Sequence, residues 1–467
     1  MEDNQNKMEK IVSLCKRRGF VFQGSEIYGG LAGIWDFGPN GVELLNNIKK
    51  SWWKENVYNK ENYFGIDSGM FKSPRVWEAS GHTSGFSDPL AECRVCNTRI
   101  RVDKELEKIG IIADEKMSET EISTLFDTHR DTIACPKCGK KDFTPVRAFN
   151  LLVKSNLGDF TGDGSEPVYL PGEACQGIYL NFKNIVDSMS PKIPFGIAQI
   201  GKAFRNEISP RNFLFRTREL EQADTQYFVR PEENKEDYER IKQERWDWYL
   251  SLGINEKKLR WKQHENLVFY AKDAWDIEYE FPTGFDEMEG IHDRSDYDLT
   301  QHMKFSGVDL RYTDPNTGEK YIPWILETSV GLGRIFLAVL ADAYHEEEMD
   351  GETRVVLKLS KQLAPYRAAV SPLLKNKPEL VEKAREVFVM LKKEFGNIAW
   401  DDNGNIGKRY RRQDEIGTPS CIVIDFDTLG EEKPELKNTV TVRDRDTGEQ
   451  ERIHIAEIPA YLEGLKS

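Results

Sequence analysis

Hydrophobic and polar positions recur with different periods along this chain, and the changes of period divide it. Residues 11 to 92 open with a helical period, pass through the glycine-rich run YGGLAGIWDFGPNG, and resume as an amphipathic helix. In that helix Val42, Leu45, Ile48, Trp52 and Val57 recur at roughly helical spacing, and Gly38, Pro39 and Gly41 punctuate its start. Residues 93 to 145 are charged and hold only short apolar runs such as IGIIA, which predicts a small appendage with little core of its own. From Phe149 to about Leu340 the period shortens. Runs such as PVYL, GIYLNF, FGIAQIGKAFRNE, TQYFVR, NLVFYA and YIPWIL, separated by polar turns, predict a mainly antiparallel sheet with helices packed on it. Within this part, Arg230 to Lys262 is dense in Glu, Lys and Trp and reads as one helix followed by a linker.

An acidic bridge, HEEEMDGE at 345 to 352, leads into a final stretch that alternates between strand and helix. Leu380, Ala384, Val387, Phe388, Leu391 and Phe395 mark one buried helical face, and SCIVIDF and NTVTV read as strands. The expected organisation is an α+β domain built from 1–92 and 146–350, interrupted by an insert at 93–145 and followed by a small α/β domain at 351–467.

Composition narrows the class. A chain of 467 residues, 39% apolar and 11% aromatic, has the material for about three cored domains. It contains no apolar stretch long enough to span a membrane, and the start, MEDNQNKMEK, lacks the order of a secretory signal, so a cytoplasmic protein without membrane attachment is expected. The formal charge of -14 argues against a protein that coats nucleic acid indiscriminately, because phosphate binding rests on Lys and Arg releasing counterions. Any RNA must meet local basic patches. One such run is Lys408, Arg409, Tyr410, Arg411 and Arg412, a pattern that also suits a solvated face.

Four of the seven cysteines form two C-x-x-C pairs. Cys93 with Cys96, and Cys135 with Cys138, each place two thiolates on a tight knuckle, and two knuckles close a tetrahedral site for Zn²⁺. Reduced buried thiols or a redox pair fit the same spacing, but pairs flanking a polar insert favour a closed, structural metal site. Cys15, Cys175 and Cys421 are isolated and read as ordinary thiols.

The segment GKAFRNEISPRNFLFRTRELEQAD, 201 to 224, predicts a β-hairpin with a polar, Pro-containing loop. Arg205 and Glu207 are expected on one face of the first arm, and Arg216, Arg218, Leu220, Gln222 and Asp224 on one face of the second. Arginine suits a triphosphate because its planar fork stays charged and takes two oxygens at once; a surface hairpin laced with ion pairs fits the pattern equally. ETSVGLGRIFLAVL, 327 to 340, reads as a strand, a glycine turn and a helix, with Arg334 projecting from the turn. Its glycines match neither a dinucleotide fingerprint nor a P-loop, and a plain packing unit has the same pattern.

These residues resemble the signature motifs of class II aminoacyl-tRNA synthetases, specifically the dimeric glycyl-tRNA synthetase family. The first motif is similar to GIWDFGPNGVELLNNIKKSWW, the second to FRNE at 204 to 207 with FRTRE at 215 to 219, and the third to the stretch ending GLGR at 331 to 334. ASGHTSGFSDPL, QGIYLNFKN, DRSDYDL and IGKRYRRQDEIGTPSCIVIDFDTL extend the likeness over nearly the whole chain. The resemblance implies an antiparallel-sheet catalytic domain with a zinc-binding insert, a C-terminal anticodon-binding domain, and a homodimer joined through the first motif. It implies that ATP, with Mg²⁺, and glycine are joined and the product passed to tRNA(Gly). Arg205 would hold the α-phosphate, Glu207 read the adenine amino group, Arg216 meet the γ-phosphate and Arg334 stack on adenine, with Leu220 beneath the base. Glu173, Asp224, Glu287, Glu327 and Ser329 would form the glycine pocket, a ring of acids suited to an ammonium group.

Three positions depart from the family pattern. The arginine of RPETAQG is absent in Pro171-Gly172-Glu173-Ala174-Cys175-Gln176-Gly177, Leu220 stands where a phenylalanine is usual, and Asp224 where a glutamate is usual. Two other readings stay open on the sequence: a class II synthetase for another small amino acid such as proline, and an inactive RNA-binding relative.

Overall fold

The computed structural model describes residues 2–112, 117–158, 166–264, 267, 271–349 and 351–464. Its centre is a seven-stranded sheet: β1 (Tyr63–Ile66), β2 (Phe195–Phe204), β3 (Glu219–Val229), β4 (Leu259–Gln263), β5 (Asp273–Phe281), β6 (Gly284–Ser295) and β7 (Trp324–Gly331). They lie in the order β4-β5-β6-β7-β3-β2-β1, and every pairing is antiparallel except β1 with β2. That parallel edge strand comes from the first 92 residues and ties them to the main sheet.

Alternation along the central strands gives the sheet two different faces. On β3, Ala223, Tyr227 and Val229 point into the large core, as do Leu326 and Val330 on β7. That core is closed by helix α1 (Pro39–Trp53), helix α3 (Lys235–Ser251) and helix α4 (Leu332–Ala343), through Leu44, Ile48, Trp52, Ile241, Tyr249 and nearly every apolar residue of α4. Helix α2 (Gln176–Met189) covers only one end of the opposite face, packing Ile178, Tyr179 and Phe182 on Phe195, Phe228 and Ile325. Beyond α2 that same face turns polar.

Residues 87–150 carry a three-stranded sheet of Ser87–Glu92, Arg99–Arg101 and Arg147–Asn150, with helices Val102–Lys108 and Glu119–His129. The second helix starts in a capping box between Ser118 and Glu121. Contrary to the expectation of little core, Ile100, Val102, Leu106, Ile122, Phe126 and Phe143 form a buried cluster of their own. The apolar residues are too scattered along the sequence to show a period, because short strands, two short helices and the loops between them each supply one or two.

The C-terminal part is a five-stranded sheet of β8 (Ala368–Pro372), β9 (Ile398–Trp400), β10 (Ser420–Ile424), β11 (Thr439–Asp444) and β12 (Gln450–His454), ordered β9-β8-β10-β11-β12. Helix α5 (Pro378–Phe395) buries Leu380, Ala384, Val387 and Leu391 against it. Phe388 and Phe395 are only partly buried beside that cluster.

Several expectations need correction. GIYLNF lies in α2, because a run this short has the same apolar content in a buried helix as in a strand. The stretch after α3 is a linker only briefly, since Leu259–Gln263 is an edge strand. Of HEEEMDGE, His345–Met349 and Glu352 lie on the two arms of a hairpin, Tyr344–Met349 with Glu352–Leu357. The NLVFYA run falls mostly outside the described residues.

Candidate active site

The polar half of the central face is set by register. Asp224 pairs with Ser329 and Gln226 with Glu327 across β3 and β7, while Gly290 and His292 of β6 lie against Ser329 and Glu327 from the other side. Gln199 faces Asp224 from β2. Strand alternation therefore gathers these side chains on one floor, opposite the apolar core.

That floor is charged and mostly satisfied. Glu327 accepts from Gln226 at 2.9 Å, His292 Nδ1 at 3.1 Å and Arg294 at 3.0 Å. Burial pushes its carboxyl up, but Arg294 and then His292 outweigh this and hold it at about 2. Arg294 also grips Asp298 at 2.7 Å, which fixes the guanidinium beneath the floor. Glu173, on the loop before α2, accepts from Gln176 at 2.8 Å and faces His82 Nε2 at 3.5 Å. Burial opposes its ionisation, yet His82 and Arg294 keep it well below the usual carboxylate range.

Asp224 is the exception. It is 1% exposed, and neither carboxylate oxygen has a hydrogen-bond partner. Burial, then the neighbouring Glu327 and Glu173 charges, push it well above its ordinary value, and the nearby Ser329 hydroxyl opposes this only in part. A buried acceptor pair left bare is costly unless a ligand supplies the donors.

The second group lies at the mouth of this floor. Arg205 and Glu207 are past the end of β2, and Arg216 and Arg218 precede β3, so all four sit in the connecting loop rather than on strand faces. The loop closes through Arg211 and Arg216, which bridge backbone to backbone. The strand ladder stops at Phe204 and Glu219, and the loop beyond it turns back at Asn212 and Phe213, both at positive φ. Arg205 donates Nε to the Gly172 carbonyl at 3.1 Å and lies over the Phe86 ring at 5.4 Å. Arg216 donates Nε to buried Glu207 at 2.8 Å, and Arg218 donates Nε to the Glu207 carbonyl at 2.8 Å. Leu220, half-buried, is the second residue of β3, opposite Ala203.

Arg334 is the third residue of α4, in the first turn of the helix rather than in a separate turn. Its guanidinium meets Glu287 at 3.0 Å and lies over the Phe215 ring at 4.5 Å. The Arg334 charge is the main reason Glu287 is held below its ordinary range. Glu287 reaches this position through a β-bulge, where the register of β5 against β6 shifts at Ile277 and Glu278.

His82, Phe86, Phe215, His292 and Arg294 also touch the site and were not singled out from sequence. His82 and Phe86 belong to ASGHTSGFSDPL and Arg294 to DRSDYDL, so the motif runs were the only signal. Phe215 precedes Arg216 in FRTRE and reads there as an ordinary apolar residue.

Away from this floor, the four cysteine sulfurs lie within 4.8 Å of one another, with Cys93 and Cys138 at 3.6 Å and Cys96 and Cys135 at 3.6 Å. Backbone turns returning Asn97 N–H to Cys93 and Gly139 N–H to Cys135 shape the two knuckles. An all-thiolate, fourfold donor set of this kind matches a closed tetrahedral ion. The basic run lies on helix α6 (Ile406–Ile416) and is largely spent on structure. Arg409 is 2% exposed and donates to the carbonyls of Pro372, Asp402 and Gly404, while Arg412 grips Asp401 at 2.6 Å. Lys408 is the member left exposed.

Residues 159–343 match the tRNA synthetase class II core domain (G, H, P, S and T), and residues 367–465 match an anticodon binding domain. The glycine–tRNA ligase of Clostridium acetobutylicum is 50% identical over 470 residues, covering 98% of this chain and 99% of its own. That of Geobacillus kaustophilus is 49% identical, and that of Treponema denticola 48%, each over 98% of this chain and 98% and 97% of their own.

Proposed function

The chain belongs to the family of glycine–tRNA ligases, and from that premise we propose that the polar floor of its central sheet binds glycine beside an ATP held by the loop arginines. The enzyme activates glycine with ATP and transfers it to tRNA. The bare, buried carboxylate of Asp224 carries the assignment of the glycine pocket. An ammonium group supplies the donors that both oxygens lack, and Glu173, Glu327 and Ser329 complete a small acidic pocket. Filling the space a side chain would need is how such a pocket rejects larger amino acids.

In the reaction a glycine carboxylate oxygen bonds to the α-phosphorus of ATP as the bond to pyrophosphate breaks. Arg205, anchored by Gly172 and Phe86, neutralises charge on the α-phosphate oxygens. Arg216 serves the γ-phosphate and Glu207 the adenine amino group, and their ion pair holds both in place before substrate arrives. The 4.5 Å separation of Arg334 from Phe215 is too narrow for a base, which needs about 7 Å for two stacking contacts. Adenine therefore stacks on the other side of Arg334, above Leu220. Mg²⁺ bound with ATP shares the phosphate charge. No protein nucleophile takes part.

The cysteine cluster holds structural Zn²⁺, since its donor set fits that ion and no open position remains. Exposed Ile27 and Tyr28, each 87% accessible, with Leu31 and Val42, surround the first motif and support a homodimer through that surface. Tyr28→Asp is expected to yield monomers by sedimentation. No helix among the described residues is long and apolar enough to cross a membrane. Amino-acid-dependent ATP–pyrophosphate exchange tests the substrate choice: glycine should support exchange and proline should not, and the reverse would overturn the pocket.

A further inference from the structure

At the edge of the glycine floor, toward the outer strands, His292 also belongs to a second cluster, whose other two members, His264 and Asp276, have no role above. His264 follows β4, Asp276 lies on β5 and His292 on β6, so three neighbouring strands each contribute one side chain. One ligand atom of each falls within 4.8 Å of the other two. His264 Nε2 and Asp276 Oδ2 are 2.8 Å apart, and the two imidazoles meet edge to face at 5.8 Å.

Three observations separate this cluster from an ordinary ion pair. First, His292 Nδ1 lies 3.1 Å from Glu327, which fixes the ring, and its other nitrogen, Nε2, is buried and has no partner. Second, a carboxylate on the far nitrogen is the arrangement that fixes the ring and raises its basicity in metal-binding histidines. Third, the residue facing Asp276 across the ladder is Gly290. A Cβ there would stand 3.0 Å from His292 Nε2 and 3.7 Å from Asp276 Oδ1, so the absence of a side chain keeps the space between them open.

We propose that His264 Nε2, Asp276 Oδ2 and His292 Nε2 form a second metal site, for a divalent ion of the zinc class, with Glu327 orienting His292 from behind. Two imidazoles and one carboxylate are a donor set for Zn²⁺ or Co²⁺ rather than for Mg²⁺, which prefers oxygen. The ion replaces the proton shared by His264 and Asp276, which leaves to solvent, and draws the three ligand atoms together. Three protein ligands leave a further position for water. The ion clips the outer strands together and fixes the His292 ring against Glu327.

The test is a Co²⁺ titration of chelator-stripped full-length protein followed by absorption. The cysteine cluster should take one equivalent with an intense sulfur-to-cobalt band, and the proposed site a second equivalent with weak visible bands and no sulfur contribution. His292→Ala and His264→Gln should each lose only the second equivalent, and the retained sulfur band reports that the chain is folded. Gly290→Ala keeps every ligand yet should weaken the second equivalent. Glu327→Gln should weaken it by about 10- to 100-fold, the usual effect of losing such a support. Wild-type protein that takes only the sulfur-bound equivalent, or His292→Ala that keeps both, overturns the proposal. The proposal shares Glu327 with the glycine pocket but does not depend on glycine binding there. Two equivalents bound without glycine-dependent exchange would count against that pocket alone, and one equivalent with normal exchange against this site alone.

Discussion

Asp224→Asn is the most informative single change, because Asn keeps the shape and removes the charge. In the free protein both oxygens of Asp224 are buried without hydrogen bonds, next to Glu327 and Glu173. A hydrogen bond from an ammonium group to a carboxylate contributes about 1.5–3 kcal/mol. Its loss should raise the KM for glycine roughly 10- to 150-fold in pyrophosphate exchange, at about 1.4 kcal/mol per factor of ten, while the KM for ATP stays put. Stability should move the opposite way. The native carboxyl titrates above its unfolded value, so its contribution to stability is fully present below the unfolded pKa, near 4, and is lost as pH rises through the higher native one. Asp224→Asn is free of this loss. Its thermal midpoint should exceed wild type at pH 7, with the gap closing toward pH 4. A variant that is less stable at pH 7 with an unchanged glycine KM would refute the reasoning, because the carboxylate would then be paired inside the protein rather than kept for a ligand.

Other consequences follow from the same geometry. Arg205→Ala should lower exchange by about 100- to 1,000-fold, as for loss of one transition-state donor, with little change in the unfolding midpoint because the side chain is only half-buried. Cys135→Ser should abolish the sulfur-bound metal, by metal analysis, and make residues 93–145 sensitive to protease, since the knuckles anchor that insert's own core. Arg354 is 0% exposed and pairs with Asp414 at 3.2 Å, which Arg443 also holds at 2.8 Å. Arg354→Ala leaves this buried carboxylate short of a partner and should cost about 3–5 kcal/mol in denaturant unfolding. An effect below 1 kcal/mol there, on the order of a surface pair, would mean that water replaces the guanidinium.

How far the sequence disclosed this arrangement depends on the range of the interactions involved. The runs TQYFVR and YIPWIL announced two central strands, but Glu327 and Ser329 came only from the family resemblance, and it is the register of the two strands that sets them on one face with Asp224. The helix over Leu380 to Phe395 was equally plain, because a single helix carries its whole period. Parity extended too far failed at the loop. Arg205, Glu207, Arg216 and Arg218 keep strand spacing in the sequence, but the ladder stops at Phe204 and Glu219, and the loop beyond turns at Asn212 and Phe213 in positive φ, a conformation a phenylalanine rarely takes and no local pattern announces. Those arginines are then aimed by contacts with Gly172, Phe86 and Glu207 instead of by a pleat.

Glu287 makes the same point from the other direction. Strict alternation gives it the parity of Glu289, which is buried in the core side with Arg245 at 2.7 Å and Tyr249 at 2.6 Å. A bulge between β5 and β6 changes the register between the two residues, so Glu287 emerges at the mouth of the site and meets Arg334 while Glu289 stays beneath α3. A bulge is a property of two strands and cannot be read from one of them. The same holds for the His264, Asp276 and His292 cluster, whose members are separated in the chain and share no motif spacing. What made that cluster visible is a pair of strand registers and one missing Cβ. Polar residues that alternate on a central strand thus announce that a site exists, while the residues that finish it are chosen by where the ladder breaks.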